Sequence, residues 1–361
     1  MIKDKINSLQ FAAMMANLLI ASFIGIGMFS IVKAAGVDAY LSIIIAAIFG
    51  IFILISFFVI FDYEPNLSIT LKLTKIFGKF FGNILNFICI IIVLTMGISA
   101  MYNLTTFISS QFLKETPLLF IGSCFSLVII LVNFKGIETL SRVGLIMLLI
   151  NFVLFFLSVV GLLPQFQVSN LKPFLEFGIE RPMIGAVYNI LLNLLPIYFL
   201  LIIPKEQLVN KEKYRKYIII FYIISVIVKL IFILLTLGVL GIHLTSIYQY
   251  PEYIVLKRIK LFNFIDKIEN VITIQWLFGL FFNISLVVYY VSHSIVPKRD
   301  TKILPILITV IILFCSIVLF KNNTVFNEYT YTKVPYIRGI LFFTYILLFI
   351  GVLISRKRKR V

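Results

Sequence analysis

Ten apolar stretches, each long enough to cross a bilayer, fill nearly the whole of this 361-residue chain. A spanning helix needs about 20 apolar residues to cover a hydrocarbon core of roughly 30 Å. Inside that core no water satisfies a free backbone N–H or C=O, so each stretch must be a helix whose hydrogen bonds close within the segment. The expected fold is therefore an all-α integral membrane protein. Its ten transmembrane helices lie near 9–32, 40–61, 83–109, 117–134, 143–163, 184–203, 217–240, 266–292, 303–320 and 336–355. Residues 1–361 read as a single polytopic membrane domain with no length left for a soluble catalytic module.

Hydrophobic residues make up 61% of the chain and charged residues 13%, far from the half-apolar, quarter-charged balance of a soluble domain. In a soluble chain a net charge of +17 would point to nucleic acid. Here the basic residues cluster in short loops and in the tail Arg356-Lys357-Arg358-Lys359-Arg360 beside the last span. Residues so placed set topology and face anionic lipid, so the bilayer, not nucleic acid, is the expected partner. Cys89, Cys124 and Cys315 all fall inside apolar spans, which argues against a disulfide framework or a metal cluster. His243 and His293 stand apart at span ends, as interfacial residues. Met1 to Lys5 leads into an apolar run too long for a signal-peptide core, so that run reads as the first spanning helix. No nucleotide loop, zinc motif or nucleophile set beside a base is present. The sequence supports no enzymatic activity and implies no cofactor.

An even number of spans leaves both termini on one side, and the loop charges decide which. The N-terminus, the 62–82, 135–142, 204–216 and 293–302 loops and the tail carry 20 Lys and Arg. The opposite loops and the start of the eighth span carry 11. By the positive-inside rule both termini are cytoplasmic. The connectors also recur in order. The first half runs 33–39, 62–82, 110–116, 135–142 and the second 204–216, 241–265, 293–302, 321–335, each with its long connector second. Each half has five spans, so the second enters the membrane in the opposite orientation. The pattern is two inverted five-helix repeats, about 9–163 and about 184–355. In the first long connector Lys72, Lys75 and Lys79 share one helical face, and Ile69, Leu73, Ile76, Phe77 and Phe80 the adjoining one. That predicts an amphipathic helix on the membrane surface, ended by Gly78 or Gly82.

Residues that could carry chemistry lie at mid-depth. Helix 1 breaks at Ile24-Gly25-Ile26-Gly27. Glycines halfway along a span are tolerated where the freed backbone groups meet protein, water or a ligand; they also allow close helix packing. Under the repeat the partner is helix 6, with Asn189 and Asn193 four apart on one face, then Pro196. Proline removes a backbone donor and frees a carbonyl one turn earlier, near Asn193. Amides there line a polar cavity or hold helices together. Lys229 is the most costly residue of the chain, about twelve residues or roughly 18 Å from the inner end of its span. It suits a structural ion pair, a proton relay or a partner for a substrate carboxylate. On the eighth span Asp266, Lys267, Glu269 and Asn270 read as outer-surface anchors, with Trp276 near headgroup depth. Gln275 and Asn283, eight apart, share a face suited to lining a path.

These residues resemble the permease-like B subunit of bacterial spore germinant receptors, in the amino acid–polyamine–organocation superfamily. The likeness runs from Ile6-Asn7-Ser8-Leu9-Gln10 through the Gly25/Gly27 break to Ala35-Gly36-Val37-Asp38-Ala39-Tyr40-Leu41-Ser42. It resumes at Pro65 and at Gly78-Lys79 with Gly82, then at Leu171-Lys172-Pro173 with Gly178 and at Ile203-Pro204-Lys205. Tyr250-Pro251 with Arg258, and Phe264-Ile265 and Ile268-Glu269 with Trp276, complete it over essentially the full chain. Phe61-Asp62-Tyr63-Glu64-Pro65 departs from the family's usual Phe-Pro after helix 2. The resemblance implies ten helices in two inverted five-helix repeats, helices 1 and 6 broken, and a pocket between helices 1, 3, 6, 8 and 10. To the Gly25, Ile26 and Gly27 backbone and to Asn189 and Asn193 it adds Met101, Tyr102, Asn283 and Ser285 as substrate-binding walls. It also implies two companion receptor subunits, one membrane-embedded and one a lipoprotein, and a place in the spore inner membrane. The implied function is binding a small germinant and triggering germination. Freed N–H groups suit a carboxylate and freed carbonyls an ammonium, so an amino acid is the natural ligand. A proton- or sodium-coupled amino acid transporter of the cell membrane needs the same broken helices, while a structural scaffold needs no pocket.

Overall fold

The computed structural model describes residues 5–259, 268–297 and 302–358. Phe264, Ile265, Asp266, Lys267, Lys359 and Arg360 lie outside the described residues, as do the side chains of Ile26, Ile268, Glu269 and Asn270. The first span opens with α1 (Ser8–Ala21), started by a capping box. In it Asn7 Oδ1 accepts from the Leu9 N–H at 3.0 Å, and Gln10 Oε1 from the Asn7 N–H at 3.1 Å. A π turn at Phe23–Gly27 leads into α2 (Met28–Ala35), which Gly36 ends at φ 64. Then come α3 (Ala39–Asp62), α4 (Ile69–Gln111), α5 (Leu118–Phe134) and α6 (Gly136–Leu162). The expected sixth span is α7 (Glu180–Asn189), a π turn at Ile190–Leu194 and a 3-10 stretch at Leu195–Ile202. The rest is α8 (Tyr214–Ile247), α9 (Pro251–Leu256), α10 (Ile268–Ile295), α11 (Ile303–Leu319), α12 (Asn323–Thr332) and α13 (Val334–Arg358). Two short strands, β1 (Ile6–Asn7) and β2 (Leu208–Val209), pair in parallel with Ile6 opposite Leu208.

Seven described helical segments are long and apolar enough to cross a membrane, or eight if α11 and α12, bent by 105°, form one span. With 14 and 17 residues, α1 and α5 reach only about 21 and about 26 Å against a core of roughly 30 Å. In that count α2 runs on into α3 as Met28–Asp62, and α1 and α5 are shorter apolar helices. Large apolar side chains such as Ile48, Phe49, Phe52, Leu127 and Phe156 are exposed around the outside. Water would not tolerate so broad an apolar surface, and lipid requires it. This is an all-α integral membrane protein. Its centre is α1, buried at every residue from Phe11 to Ala21 and packed on α6, α8 and α10.

One end of the bundle gathers Ile6, the 205–215 segment and Arg356. There Asp62 accepts from Lys205 Nζ at 2.6 Å, from Tyr214 Oη at 2.6 Å and from Arg215. Burial alone would raise the Asp62 carboxyl; these three donors outweigh it and hold the group below its ordinary value. Lys72 departs from the expected surface helix. It is only 1% exposed, and its ammonium donates to the carbonyls of Ile60 at 2.9 Å and Phe61 at 3.2 Å. Arg356 donates to the Val59 carbonyl at 2.9 Å. The last carbonyls of α3 have no donor within their own helix and form its negative end, which draws these cations inward. Lys75 stays exposed and pairs with Glu64 at 2.8 Å. Gly78, at φ 80 and ψ 167, ends the amphipathic segment. Gly82 lets the chain pack back against Thr74, where a Cβ would come within 2.5 Å of Cα.

Candidate functional site

Pro196 accounts for the shape of the sixth span. Without an N–H it cannot bond the carbonyl one turn back, that of Leu192, and the helix relaxes into the π turn at Ile190–Leu194. The expectation of a carbonyl left free near Asn193 is corrected here: Arg338 Nη1 of α13 donates to the Leu192 carbonyl at 2.9 Å. Arg338 is 5% exposed. From sequence it looks like one more basic residue near the last loop. The signal was a guanidinium placed inside the apolar run rather than before it.

The two broken spans touch. A Cβ on Gly27 would lie within 2.8 Å of Asn193 Cγ, so only glycine lets the first break approach the sixth this closely. Asn193 Nδ2 donates to Asn189 Oδ1 at 2.8 Å, and Asn193 Oδ1 has no partner among the described residues. The first break bonds in π fashion, the Gly27 N–H reaching the Ser22 carbonyl at 3.1 Å, and the backbone of Gly25 and Ile26 lies within the same turn. From α10, Asn283 Nδ2 donates to Ser22 Oγ at 3.3 Å. Gln275 and Asn283 share the face expected of them, with Gly279 between them. A Cβ on Gly279 would meet Ala21 Cβ at 2.7 Å, which lays this face against the end of α1.

Three expected wall residues sit differently. Ser285 is buried, and its hydroxyl bonds back to the Phe281 carbonyl of its own helix at 2.8 Å. Met101 is packed in the apolar core. Tyr102 donates to Asn323 Oδ1 at 3.1 Å and lines a separate recess of about 460 Å³ with Thr106, Ser110, Lys114 and Lys321. That recess lies toward the end of the bundle opposite Ile6 and Arg356.

Lys229 is buried inside the bundle, at 1% exposure. Its ammonium has no hydrogen-bond or ion-pair partner among the described residues. It faces a cavity of about 20 Å³ shared with Asn17, Ile24, Asn151, Gln275 and Trp276, so it lies beside the first break and not apart from it. Trp276 turns into the bundle and not toward lipid. It is 4% exposed, with ring centroids 4.0 Å from Phe107 and 5.3 Å from Tyr250. Its large apolar area finds aromatic neighbours inside the bundle. Asn17 and Asn103 were legible only as amides inside apolar runs. Asn17 Nδ2 donates to the Gly144 carbonyl at 2.7 Å, and buried Asn103 has neither amide atom partnered among the described residues.

Residues 5–325 match the family model described as Spore germination protein. The chain belongs to that family. Among its relatives is Spore germination protein XB of Bacillus anthracis, 23% identical over 336 residues, which are 90% of this chain and 91% of the relative. Spore germination protein KB of Bacillus subtilis (strain 168) is 23% identical over 261 residues, 71% of this chain and 69% of the relative. Putative spore germination protein YfkT of the same organism is 25% identical over 193 residues, 52% and 51% of the two chains. In this chain, then, two broken helices meet at the centre, and beside one of them lies a lysine whose ammonium has no partner among the described residues.

Proposed function

We propose that this spore germination protein is the permease-like subunit of a nutrient germinant receptor. It binds a small germinant, an amino acid, between the breaks of helices 1 and 6, and occupancy triggers germination. The observation that carries this reading is the contact of Gly27 with Asn193. Two spans that lose regular bonding at mid-depth and face each other present polar backbone and amide groups to a shared space, the arrangement by which carriers hold a polar solute. The backbone of Gly25, Ile26 and Gly27 and the side chains of Asn189, Asn193 and Asn283 form the pocket. An amino acid suits it because Asn193 Oδ1, without a partner among the described residues, can accept from an ammonium.

Ten crossings in two inverted five-helix repeats fit this pocket, because the two π turns fall in the first and sixth spans. An even count also agrees with Ile6, the 205–215 segment and Arg356 sharing one end. By loop charge that end is cytoplasmic, and the setting is the spore inner membrane. The partners are the germinant, the bilayer and two companion subunits, one membrane-embedded and one a lipoprotein.

Calorimetric titration of the purified protein with amino acids and nucleosides, wild type against Gly25→Leu, tests the reading. Wild type binds one or more amino acids, and the leucine side chain abolishes that binding while the protein still accumulates. Equal binding by the two proteins would refute the pocket. Spores lacking the gene should also lose their response to the same amino acid. Lys229, a titratable group beside the first break, favours proton-coupled amino acid transport as the second reading. Uptake of labelled amino acid into vesicles driven by a pH gradient would establish that alternative instead.

A further inference from the structure

The cavity beside the first break is unbalanced in its hydrogen-bonding groups. Two residues that line it carry buried donors without an acceptor among the described residues: the Lys229 ammonium and the Trp276 indole N–H. A third potential donor, the Asn17 amide, is committed to the Gly144 carbonyl at 2.7 Å. An unpaired buried cation is costly, and inside a membrane protein it marks a functional position. A cation and a neutral N–H converging on one space are complemented by a small singly charged group with two acceptor oxygens, a carboxylate. Asn151 Oδ1, on the same cavity and also without a described partner, accepts from a donor such as an ammonium.

We propose that Lys229 and Trp276 form an anion subsite that takes the carboxylate of the ligand at the inner edge of the first helix break. The subsite rests on the pocket reading above and names the end of the ligand that docks there. At about 20 Å³ the cavity holds roughly one water, so a carboxylate enters only when a wall yields. That wall is the indole. On its far side Phe107 and Tyr250 pack against it, and Tyr250 borders a recess of about 200 Å³ with Ser110, Gln249, Tyr253 and Asn323. Trp276 thus stands between the recess and Lys229, serving as both donor and gate.

Trp276 is the single tryptophan of the chain, so tryptophan emission reports on this subsite alone. The experiment titrates the purified full-length protein in lipid nanodiscs with amino acids, their carboxamides, in which a neutral amide replaces the carboxylate, and nucleosides, following emission and calorimetric heat together. An amino acid that binds shifts Trp276 emission, and its carboxamide binds about thirtyfold or more weakly, the loss expected when one partner of a buried charge pair is removed. Lys229→Met weakens the amino acid by a similar factor and leaves the carboxamide unchanged; Lys229→Arg recovers part of the loss. The comparison of acid with carboxamide uses wild type only, so it stands even if Lys229→Met fails to accumulate. Equal affinity for acid and carboxamide overturns the subsite, as does heat of binding without an emission change. Saturable binding of neutral nucleosides alone overturns the subsite but leaves the pocket reading standing. Binding of none of these compounds overturns both.

Discussion

Arg338 supplies at Leu192 the donor that Pro196 withholds, so one residue of α13 holds the sixth span in its broken shape. Arg338→Met removes a charged donor from a buried carbonyl and should cost about 1–3 kcal/mol. The measurement is the thermal unfolding midpoint in detergent; Arg338→Lys should recover part of the loss, and an unchanged midpoint for Arg338→Met would count against the role. At Gly27 the argument is steric. Gly27→Ala must displace Asn193 and break its 2.8 Å bond to Asn189, so ligand binding should fall while the protein still accumulates. Lys229→Met should alter germination or assembly far more than Lys135→Met, which neutralises an exposed loop lysine. Wild-type behaviour of both would remove Lys229 from the mechanism.

Two helices are bent by the same device. Gly78 in α4 and Gly241 in α8 both combine positive φ with ψ 167, a region open essentially to glycine alone. Gly78→Ala should lower the unfolding midpoint by the equivalent of about 1–3 kcal/mol. Gly339→Ala, at a helical site with nothing within 4 Å of the new Cβ, should be neutral or stabilising by up to about 1 kcal/mol. Equal effects of the two would mean that Gly78 is no hinge. The bend matters because it lets the first turns of α4 bring Lys72 to the end of α3. Beside it, the carboxyl of Asp62 is held below its ordinary value. It therefore adds stability above the unfolded-state value near 4, and that stability is lost as pH falls through the lower folded-state value. Asp62→Asn should lower the midpoint at neutral pH and flatten its fall between about pH 5 and about pH 3.

At the scale of the molecule, orientation is the quantity to test. In a cysteine-free background, Lys211→Cys lies at the end that carries Ile6 and Arg356, and Thr116→Cys in the loop after α4 at the other. If both termini are cytoplasmic, an impermeant thiol reagent labels the second in intact cells and the first only after permeabilisation. The reverse pattern would invert the topology and place the recess around Tyr250 on the inner side.

Hydrocarbon has a simple requirement, which is why the sequence by itself determined so much: an all-helical membrane protein, the breaks at Gly25–Gly27 and near Pro196, and the placing of Lys229 within an apolar helix. Length, apolarity and the absence of a proline N–H act within a few residues of one another. What each polar group meets depends on residues far away in the chain. Only the tertiary structure decided that the Leu192 carbonyl goes to Arg338, that Lys72 turns inward to cap α3, and that Tyr102 looks into a recess away from the breaks. The same holds for Trp276, whose place beside Lys229 comes from packing against Phe107 and Tyr250 and is not encoded in the hydropathy of its own helix.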